Sequence, residues 1–174
     1  MPRSATKETA LSVQELSRLL DYNPLTGCLT WKVARNSYRG KVKPGTPAGT
    51  PDKHGYLVIV INGLVYWGHY LAWYMHYGVW PSRQVDHRNL KPLDNSIDNL
   101  RLATMTEQRA NQRVRRDSIV GLKGVQRTPE GRYRARIRRN GKSHYLGNYD
   151  TAEEAHAAYE KAAQTMFGGY ARSK

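Results

Sequence analysis

The first half of the chain contains two segments whose hydrophobic pattern predicts regular structure. Ser12 and Glu15 have the spacing of a capping box, and the leucines around them predict a helix from about residue 13 to residue 21. Residues 56–66 form two β-branched runs on either side of Asn62-Gly63, a dipeptide that tolerates positive φ at both turn positions. This second segment therefore predicts a β-hairpin.

The stretch between these two segments, residues 22–53, is rich in proline, glycine and threonine. It predicts loop with one or two short strands. After the hairpin, aromatic residues recur at helical spacing over residues 69–77, and Gly78 follows them. This pattern predicts a helix whose aromatic side chains belong to the core.

A polar segment and a second capping box open the other half of the chain. Residues 84–104 are largely polar, and Thr104 and Glu107 have capping-box spacing. We expect a helix that starts at this point and continues into the basic residues 109–116. Its basic end is interpreted as a linker or as a contact to a backbone phosphate.

Basic and apolar residues alternate strictly near the C-terminal end. Arginine occupies every second position from Arg132 to Arg138, and an Asn-Gly turn separates this run from a strand-like segment at residues 144–146. Such alternation places the arginines on one face of a strand. Thr151 and Glu154 then cap a final helix with alanines on one side. The segment predicts three short strands and one packed helix.

The charge of the chain indicates a polyanionic partner. Lysine and arginine number 28 against 14 acidic residues, which gives a formal net charge of +14. Residues 109–147 hold twelve basic and two acidic side chains, and so carry 12 − 2 = +10 of that charge. Residues 83–108 hold four of each sign. This uneven distribution indicates that nucleic-acid binding and chemistry are separated along the chain.

Length, cysteine content and hydropathy narrow the class of protein. The 174 residues allow one domain of roughly 100 to 120 residues and a smaller one. Cys28 is the only cysteine, which excludes disulfides within the chain and any zinc site built from several cysteines. No apolar stretch reaches membrane-spanning length. We therefore expect a soluble, unexported protein of the cytoplasm, in a bacterial or phage-infected cell, without a membrane partner.

Asp86, His87 and Asn95 form a candidate catalytic group, followed by a helix start at Thr104. Phosphodiester hydrolysis needs an activated water and a counter to the charge that builds on phosphate, which a histidine base and one hard cation supply. An Asp-His pair alone is more often structural, and strand alternation points two such neighbours to opposite faces. Asn99 is interpreted as fixing a turn through backbone hydrogen bonds.

The chain resembles the HNH homing endonucleases of phages and introns over roughly residues 20–113. Four features carry the resemblance: His69-Tyr-Leu-Ala-Trp, Val-Asp-His, Asp-Asn-x-Ile-x-Asn-Leu-Arg, and a helix that starts at a threonine. The resemblance implies a ββα-metal core in which His87 is the general base, Asp86 a ligand of Mg²⁺ or another divalent cation, and Asn95 a strut on the loop. The family has Asn or His at the second-ligand position, where this chain has Gln108, so Asn111 is an alternative ligand.

Two further histidines, His69 and His76, lie seven residues apart and share a helix face. Their spacing relative to Asp86 does not fit a closed zinc site. We interpret them as histidines of the core or as residues that face DNA.

The C-terminal segment resembles the plant ethylene-response-factor DNA-binding domain over some 50 residues, through Gly124-Val-Gln-Arg, the alternating arginines, Tyr145-Leu-Gly-Asn-Tyr-Asp and the alanine-rich helix. In that family a three-stranded sheet lies in the major groove with a helix behind it. The resemblance implies DNA contacts from the basic and aromatic residues Arg127, Arg132, Arg134, Arg136, Arg138, Lys142 and Tyr145. Because Gln126, Thr128 and Glu130 differ from the family pattern, the plant target sequence does not carry over.

The sequence therefore predicts an α+β protein in two domains. Residues 1–118 form a ββα-metal HNH nuclease, and residues 119–174 form a small three-stranded antiparallel sheet packed on one helix. The expected function is metal-dependent cleavage of double-stranded DNA by a monomer without an obligate protein partner. The alternative is a DNA-binding regulator with an inactive HNH fold, which only Gln108 supports.

Overall fold

The computed structural model describes residues 11–37, 40–115 and 117–172. Contacts divide the chain into a first unit that ends at Leu102 and a second unit that starts at Ala103. None of the helices in the described part of the chain is long and apolar enough to cross a membrane.

The first unit combines short antiparallel sheets with two helices. Its helices are α1 (Val13–Leu19) and α2 (Gly68–Tyr77), with one 3-10 turn at Ile97–Asn99. Its strands are β1 (Leu20–Tyr22), β2 (Leu29–Trp31), β3 (Arg35–Ser37), β4 (Gly40–Val42), β5 (Thr50–Pro51), β6 (Leu57–Ile61), β7 (Leu64–Trp67), β8 (Gln84–His87) and β9 (Leu100–Ala103), whose last residue is the first of the second unit. They pair as β1-β2, β3-β4, β5-β6-β7 and β8-β9.

Local sequence patterns account for most of these elements. Ser12 caps α1 by accepting a hydrogen bond from the backbone of Glu15. Asn62 and Gly63 adopt φ of 50° and 77° in the β6–β7 turn, which confirms the predicted hairpin. Helix α1 ends at Leu19, two residues before its predicted end, because the chain then becomes extended and β1 pairs with β2.

Two hydrophobic clusters hold the first unit together. The larger packs α1 and α2 against the β5–β7 sheet, around Leu16, Ile59 and Leu71. The smaller joins Ala72 of α2 to Val85 of β8 and Leu100 of β9. The aromatic residues of α2 belong mostly to these clusters, as predicted, and the smaller cluster supports the strand that carries Asp86 and His87.

The second unit is the predicted three-stranded antiparallel sheet packed on one helix. It contains the helices α3 (Met105–Asn111) and α4 (Ala152–Phe167), a 3-10 turn at Gly168–Tyr170, and the strands β10 (Val125–Arg127), β11 (Tyr133–Arg139) and β12 (Lys142–Tyr149). The strand order is β10-β11-β12, and both pairs are antiparallel. The capping boxes predicted at Thr104 and Thr151 are present. The overall class is α+β.

Helix α3 belongs to the second unit, although the sequence placed it in a nuclease domain that ended at residue 118. Ala110 packs against Ile137 and Phe167. The Lys123 ammonium donates hydrogen bonds to the carbonyl oxygens of Ala110 at 2.5 Å and Gln112 at 2.7 Å. Burial, with a smaller effect of Arg172, lowers the pKa of Lys123 to about 8.

The same contacts explain why α3 is shorter than predicted. It ends at Asn111, because Gln112 has an extended conformation and the last carbonyl oxygens bond to Lys123 rather than to further helical amides. Arg116, the predicted end of this helix, lies outside the described residues.

The packing of α4 on the sheet predicts a specific stability defect. Gly124 has φ of +76°, and a Cβ at this position would overlap the ring of Tyr159. Gly131 has φ of +83° with no atom within 4 Å of its Cβ position. We expect Gly131→Ala to lower the free energy of unfolding by about 1 kcal/mol, because of backbone strain. Gly124→Ala should lower it by about 1–3 kcal/mol more, because its Cβ overpacks the core. Denaturant unfolding followed by circular dichroism compares the two; equal losses would contradict the packing argument.

Candidate active site and DNA-binding surface

Asp86 on β8 is held by Arg101 on β9. The Arg101 Nε atom donates a hydrogen bond to Asp86 Oδ2 at 3.0 Å, and the two side chains are 6% and 11% exposed. Burial of two opposite charges is tolerated only when they are paired and hydrogen-bonded. Arg101 therefore fixes the carboxylate of the predicted metal ligand, a role that the sequence analysis did not assign to it.

His87, the next residue on β8, is 5% exposed and contacts the predicted strut residue. Its Nε2 atom lies 3.0 Å from Asn95 Oδ1. Because an amide oxygen only accepts hydrogen bonds, the tautomer of His87 that makes this contact is the one with its proton on Nε2. Burial lowers the pKa of His87, against the opposing effects of the Asn95 hydrogen bond and of Asp86 and Asp94. The imidazole is therefore neutral at pH 7 and can accept a proton.

Asn95 is completely buried, and the N-terminal part of the first unit holds it in place. The Tyr22 hydroxyl donates a hydrogen bond to the Asn95 carbonyl oxygen at 2.8 Å. Burial raises the pKa of Tyr22 to about 12, which keeps this donor protonated. Gly27 passes so close to the Asn95 backbone that a Cβ there would overlap it. Neither Tyr22 nor Gly27 was predicted to support the site.

The loop that carries Asn95 is clamped by a second asparagine. Asn99 accepts a hydrogen bond from the Asn89 backbone at 3.0 Å and donates one to the Asp94 carbonyl oxygen at 2.7 Å. Asp94 in turn accepts from the Asn89 side chain at 2.6 Å and from the Ser96 hydroxyl at 2.6 Å. The prediction that Asn99 fixes a turn is confirmed.

An aromatic cluster packs against the His87 ring. The His69 ring centroid lies 5.0 Å from that of His87, and Tyr56 lies 5.5 Å from His69 and 5.9 Å from His87. Burial, with a smaller effect of His87, lowers the pKa of His69 to about 3, so His69 is neutral. Its buried Nδ1 atom has no hydrogen-bond partner among the described residues. Helical spacing had indicated only a core or DNA-facing role for His69.

The remaining candidate ligands lie on α3, in the other unit from Asp86, His87 and Asn95. Gln108 is half-buried and Asn111 is buried. Within the described ranges, no group of three or more His, Cys, Asp and Glu side chains could hold a metal ion. Carboxylate and amide oxygens are nonetheless hard donors of the kind that Mg²⁺ prefers, and Mg²⁺ keeps several waters, so few protein ligands are needed.

The predicted arginine face of the C-terminal sheet is present in part. Arg134, Arg136 and Arg138 alternate along β11 with the buried Ala135 and Ile137. A register shift after Ala135 places Tyr145 opposite Arg136, where it is 63% exposed. Arg132 precedes this strand and its Nε atom pairs with Asp150 Oδ1 at 2.9 Å.

The strand register separates Arg127 and Lys142 from this face. Arg127 pairs with Tyr133, which lies on the side of the sheet that faces α4, and Lys142 pairs with Arg139 rather than with Arg138. Lys142 and Tyr145 are three residues apart on one strand, so they point to opposite faces. Both cations are exposed at strand ends, and they do not share the surface of the other predicted DNA-binding residues.

Two parts of the chain match known families. Residues 66–110 match the HNH endonuclease family, and residues 120–169 match the AP2 domain. The first match includes Asp86, His87 and Asn95, and the second covers β10–β12 and α4. No solved structure is significantly similar to the chain.

Similar curated proteins fall into the same two classes. The ethylene-responsive transcription factor LEP of Arabidopsis thaliana is 42% identical over 73 residues, 40% of this chain and 35% of that protein. The uncharacterized HNH endonuclease L560 of Acanthamoeba polyphaga mimivirus is 34% identical over 87 residues, 50% of this chain and 44% of that protein. The chain thus spans less than half the length of these two relatives.

Protein 3.8 of Escherichia phage T7 is 30% identical over 89 residues, which are 51% of this chain and 73% of that protein. Both resemblances predicted from the sequence are confirmed by these matches. The chain is a relative of T7 protein 3.8, and it contains one segment similar to the HNH endonuclease family, residues 66–110, and one similar to the AP2 domain, residues 120–169.

Proposed function

We propose that the protein is a divalent-metal-dependent endonuclease that hydrolyses phosphodiesters of double-stranded DNA, with the AP2 domain as its anchor. The observation that carries this proposal is the state of His87. A buried, neutral imidazole with Nε2 bonded to Asn95 has its basic Nδ1 atom fixed in one tautomer and one orientation. That is the arrangement that a general base requires.

His87 accepts the proton of the attacking water. As the O–H bond of water breaks, the proton moves to Nδ1 and the oxygen forms a bond to phosphorus, while the bond between phosphorus and the 3′ oxygen breaks and that oxygen takes up a proton from solvent water. The products are a 5′ phosphate and a 3′ hydroxyl. The hydrogen bond to Asn95 keeps the ring from turning, and the charges of Asp86 and Asp94 favour the imidazolium that forms.

Asp86 and Gln108 are the residues that would hold the metal ion, with Asn111 as the alternative to Gln108. A bound divalent cation supplies positive charge against the oxyanion that develops on the leaving 3′ oxygen. Arg101 orients the Asp86 carboxylate. Support for the ligands on α3 comes from their position in the sequence after Thr104.

The AP2 domain supplies a surface for duplex DNA. Arg134, Arg136 and Arg138 meet phosphates and base edges from the outer face of the sheet, and Tyr145 lies beside Arg136. Because a monomer has one HNH centre, it would cut one strand of the duplex in each binding event. Cleavage of a cognate site by such a protein is the activity of a homing endonuclease.

Substitution of His87 tests the proposed base. Loss of a positioned base costs about 10² to 10⁴ in rate, so His87→Ala should abolish detectable cutting of supercoiled plasmid in Mg²⁺ and leave the affinity for DNA unchanged. His54→Ala, which removes an exposed histidine of the same unit, is the control and should cut normally. A wild-type protein that binds DNA but never cuts would indicate the alternative, a regulator with an inactive HNH fold.

The identity of the second ligand is tested by metal titration. Mg²⁺ requires near-octahedral geometry at about 2.0–2.1 Å, and the extra methylene of glutamine shifts its oxygen. We expect Gln108→Asn to need no more Mg²⁺ than the wild type, and Gln108→Ala to need more metal or to lose activity. Asn111→Ala should be mild. The reverse result, an inactive Asn111→Ala and a normal Gln108→Ala, would assign the ligand to Asn111.

The strand register predicts which cations of the AP2 domain bind DNA. Arg134→Gln/Arg136→Gln removes two charges from the outer face, and Arg127→Gln/Lys142→Gln removes two from the strand ends. Each lost phosphate contact should reduce the slope of log affinity against log salt concentration by about 0.9. The slope should therefore fall by about 1.8 in the first double variant and by much less in the second. Fluorescence anisotropy over a salt series measures both. A larger loss in the second variant would contradict the assignment.

A further inference from the structure

A second positively charged surface lies in the first unit, outside the residues that match the HNH family. Residues 32–51 contain five lysines and arginines and no acidic residue. Part of this segment forms the antiparallel pair β3–β4, in which Arg35 pairs with Val42 and Asn36 with Lys41. The described residues 35–37 and 40–43 are named the basic ribbon below.

One face of the basic ribbon is attached to the body of the unit. The Arg35 guanidinium carbon lies 4.1 Å from the centroid of the Trp31 ring, and its Nη1 atom donates a hydrogen bond to the Val60 carbonyl oxygen at 2.9 Å. Val42, opposite Arg35, packs against the larger hydrophobic cluster. The charge of Arg35 therefore serves to hold the ribbon, through a cation–π contact and a charge-assisted hydrogen bond.

The other face is exposed and carries two lysines. Asn36 and Lys41 are paired one position away from Arg35 and Val42, so strand alternation turns them outward. Lys43 follows Lys41 by two residues, and both lysines are exposed. No ion pair with a described carboxylate is found at either lysine. Two exposed ammonium groups without an ion pair to a described carboxylate thus belong to a ribbon whose opposite face is fixed.

We propose that the basic ribbon is a second contact to duplex DNA, with Lys41 and Lys43 against backbone phosphates. This inference rests on the proposed function, because it assumes that DNA is the substrate. Three properties favour a phosphate partner over a solvated face: the segment lacks acidic residues, its backbone is anchored, and a two-stranded ribbon fits the width of the major groove. The ribbon would attach the catalytic unit to DNA independently of the AP2 domain.

The test measures binding by the full-length chain to a labelled duplex over a salt series. Lys41→Gln/Lys43→Gln should reduce the salt slope by about 1.8, which is about 0.9 for each lost contact. Arg18→Gln/Lys161→Gln removes the same charge from exposed positions on α1 and α4, and should leave the slope close to that of the wild type. Lys41→Arg/Lys43→Arg keeps the charges and should preserve the slope. Circular dichroism verifies that all three variants fold.

An equal loss of slope in the glutamine variant and the control would overturn the inference, because it would reflect net charge alone. A loss in the arginine variant would also overturn it, and so would an effect on single-stranded RNA without one on duplex DNA. The proposed function is judged separately, by cutting in the wild type and its absence in His87→Ala. A wild type that cuts, together with a glutamine variant of normal slope, therefore overturns only the ribbon contact.

Discussion

The buried ion pair between Asp86 and Arg101 is the interaction on which the candidate catalytic group depends. It joins β8 to β9, and His87 follows Asp86 directly on β8. Removal of one partner from such a pair costs about 3–5 kcal/mol, because the other charge stays buried and unpaired. The pair thus holds the strand that presents the proposed base. It also holds the Asp86 carboxylate in a fixed direction.

The position of His87 depends equally on parts of the chain that are distant in sequence. The Asn95 side chain lies within hydrogen-bond distance of His87 Nε2, and Tyr22 and Gly27 contact the Asn95 backbone. A side chain at position 27 would push the loop away and release the imidazole. The β1–β2 segment, which lies outside the residues that match the HNH family, is therefore part of the support of the catalytic group.

The sequence predicted those features that depend on neighbouring residues. The β6–β7 hairpin, the capping boxes at Thr104 and Thr151 and the alternation of β11 follow from local spacing. The resemblance, by contrast, placed Lys142 and Tyr145 together as DNA contacts, although they lie on opposite faces of β12. Contacts between distant segments were not predictable: the Tyr22 hydroxyl bonds across 73 residues to Asn95, and His69 meets His87 only after α2 packs beside β8. Helix α3 is attached to the second unit partly by Lys123, which bonds to carbonyl oxygens at the end of that helix. Nothing in the sequence around Lys123 indicates that its side chain caps a helix.

The distribution of charge agrees with the chemistry of the two parts. Residues 83–108, which contain the candidate catalytic group, have equal numbers of acidic and basic side chains, whereas residues 109–147 carry a formal charge of +10. A base that becomes a cation in the reaction would lose basicity if surrounded by arginines, and burial already lowers the pKa of His87. The nearby carboxylates of Asp86 and Asp94 oppose that effect. DNA would therefore be attracted by surfaces that lie away from the proposed base. The sheet of the AP2 domain and the basic ribbon are the two proposed surfaces of this kind.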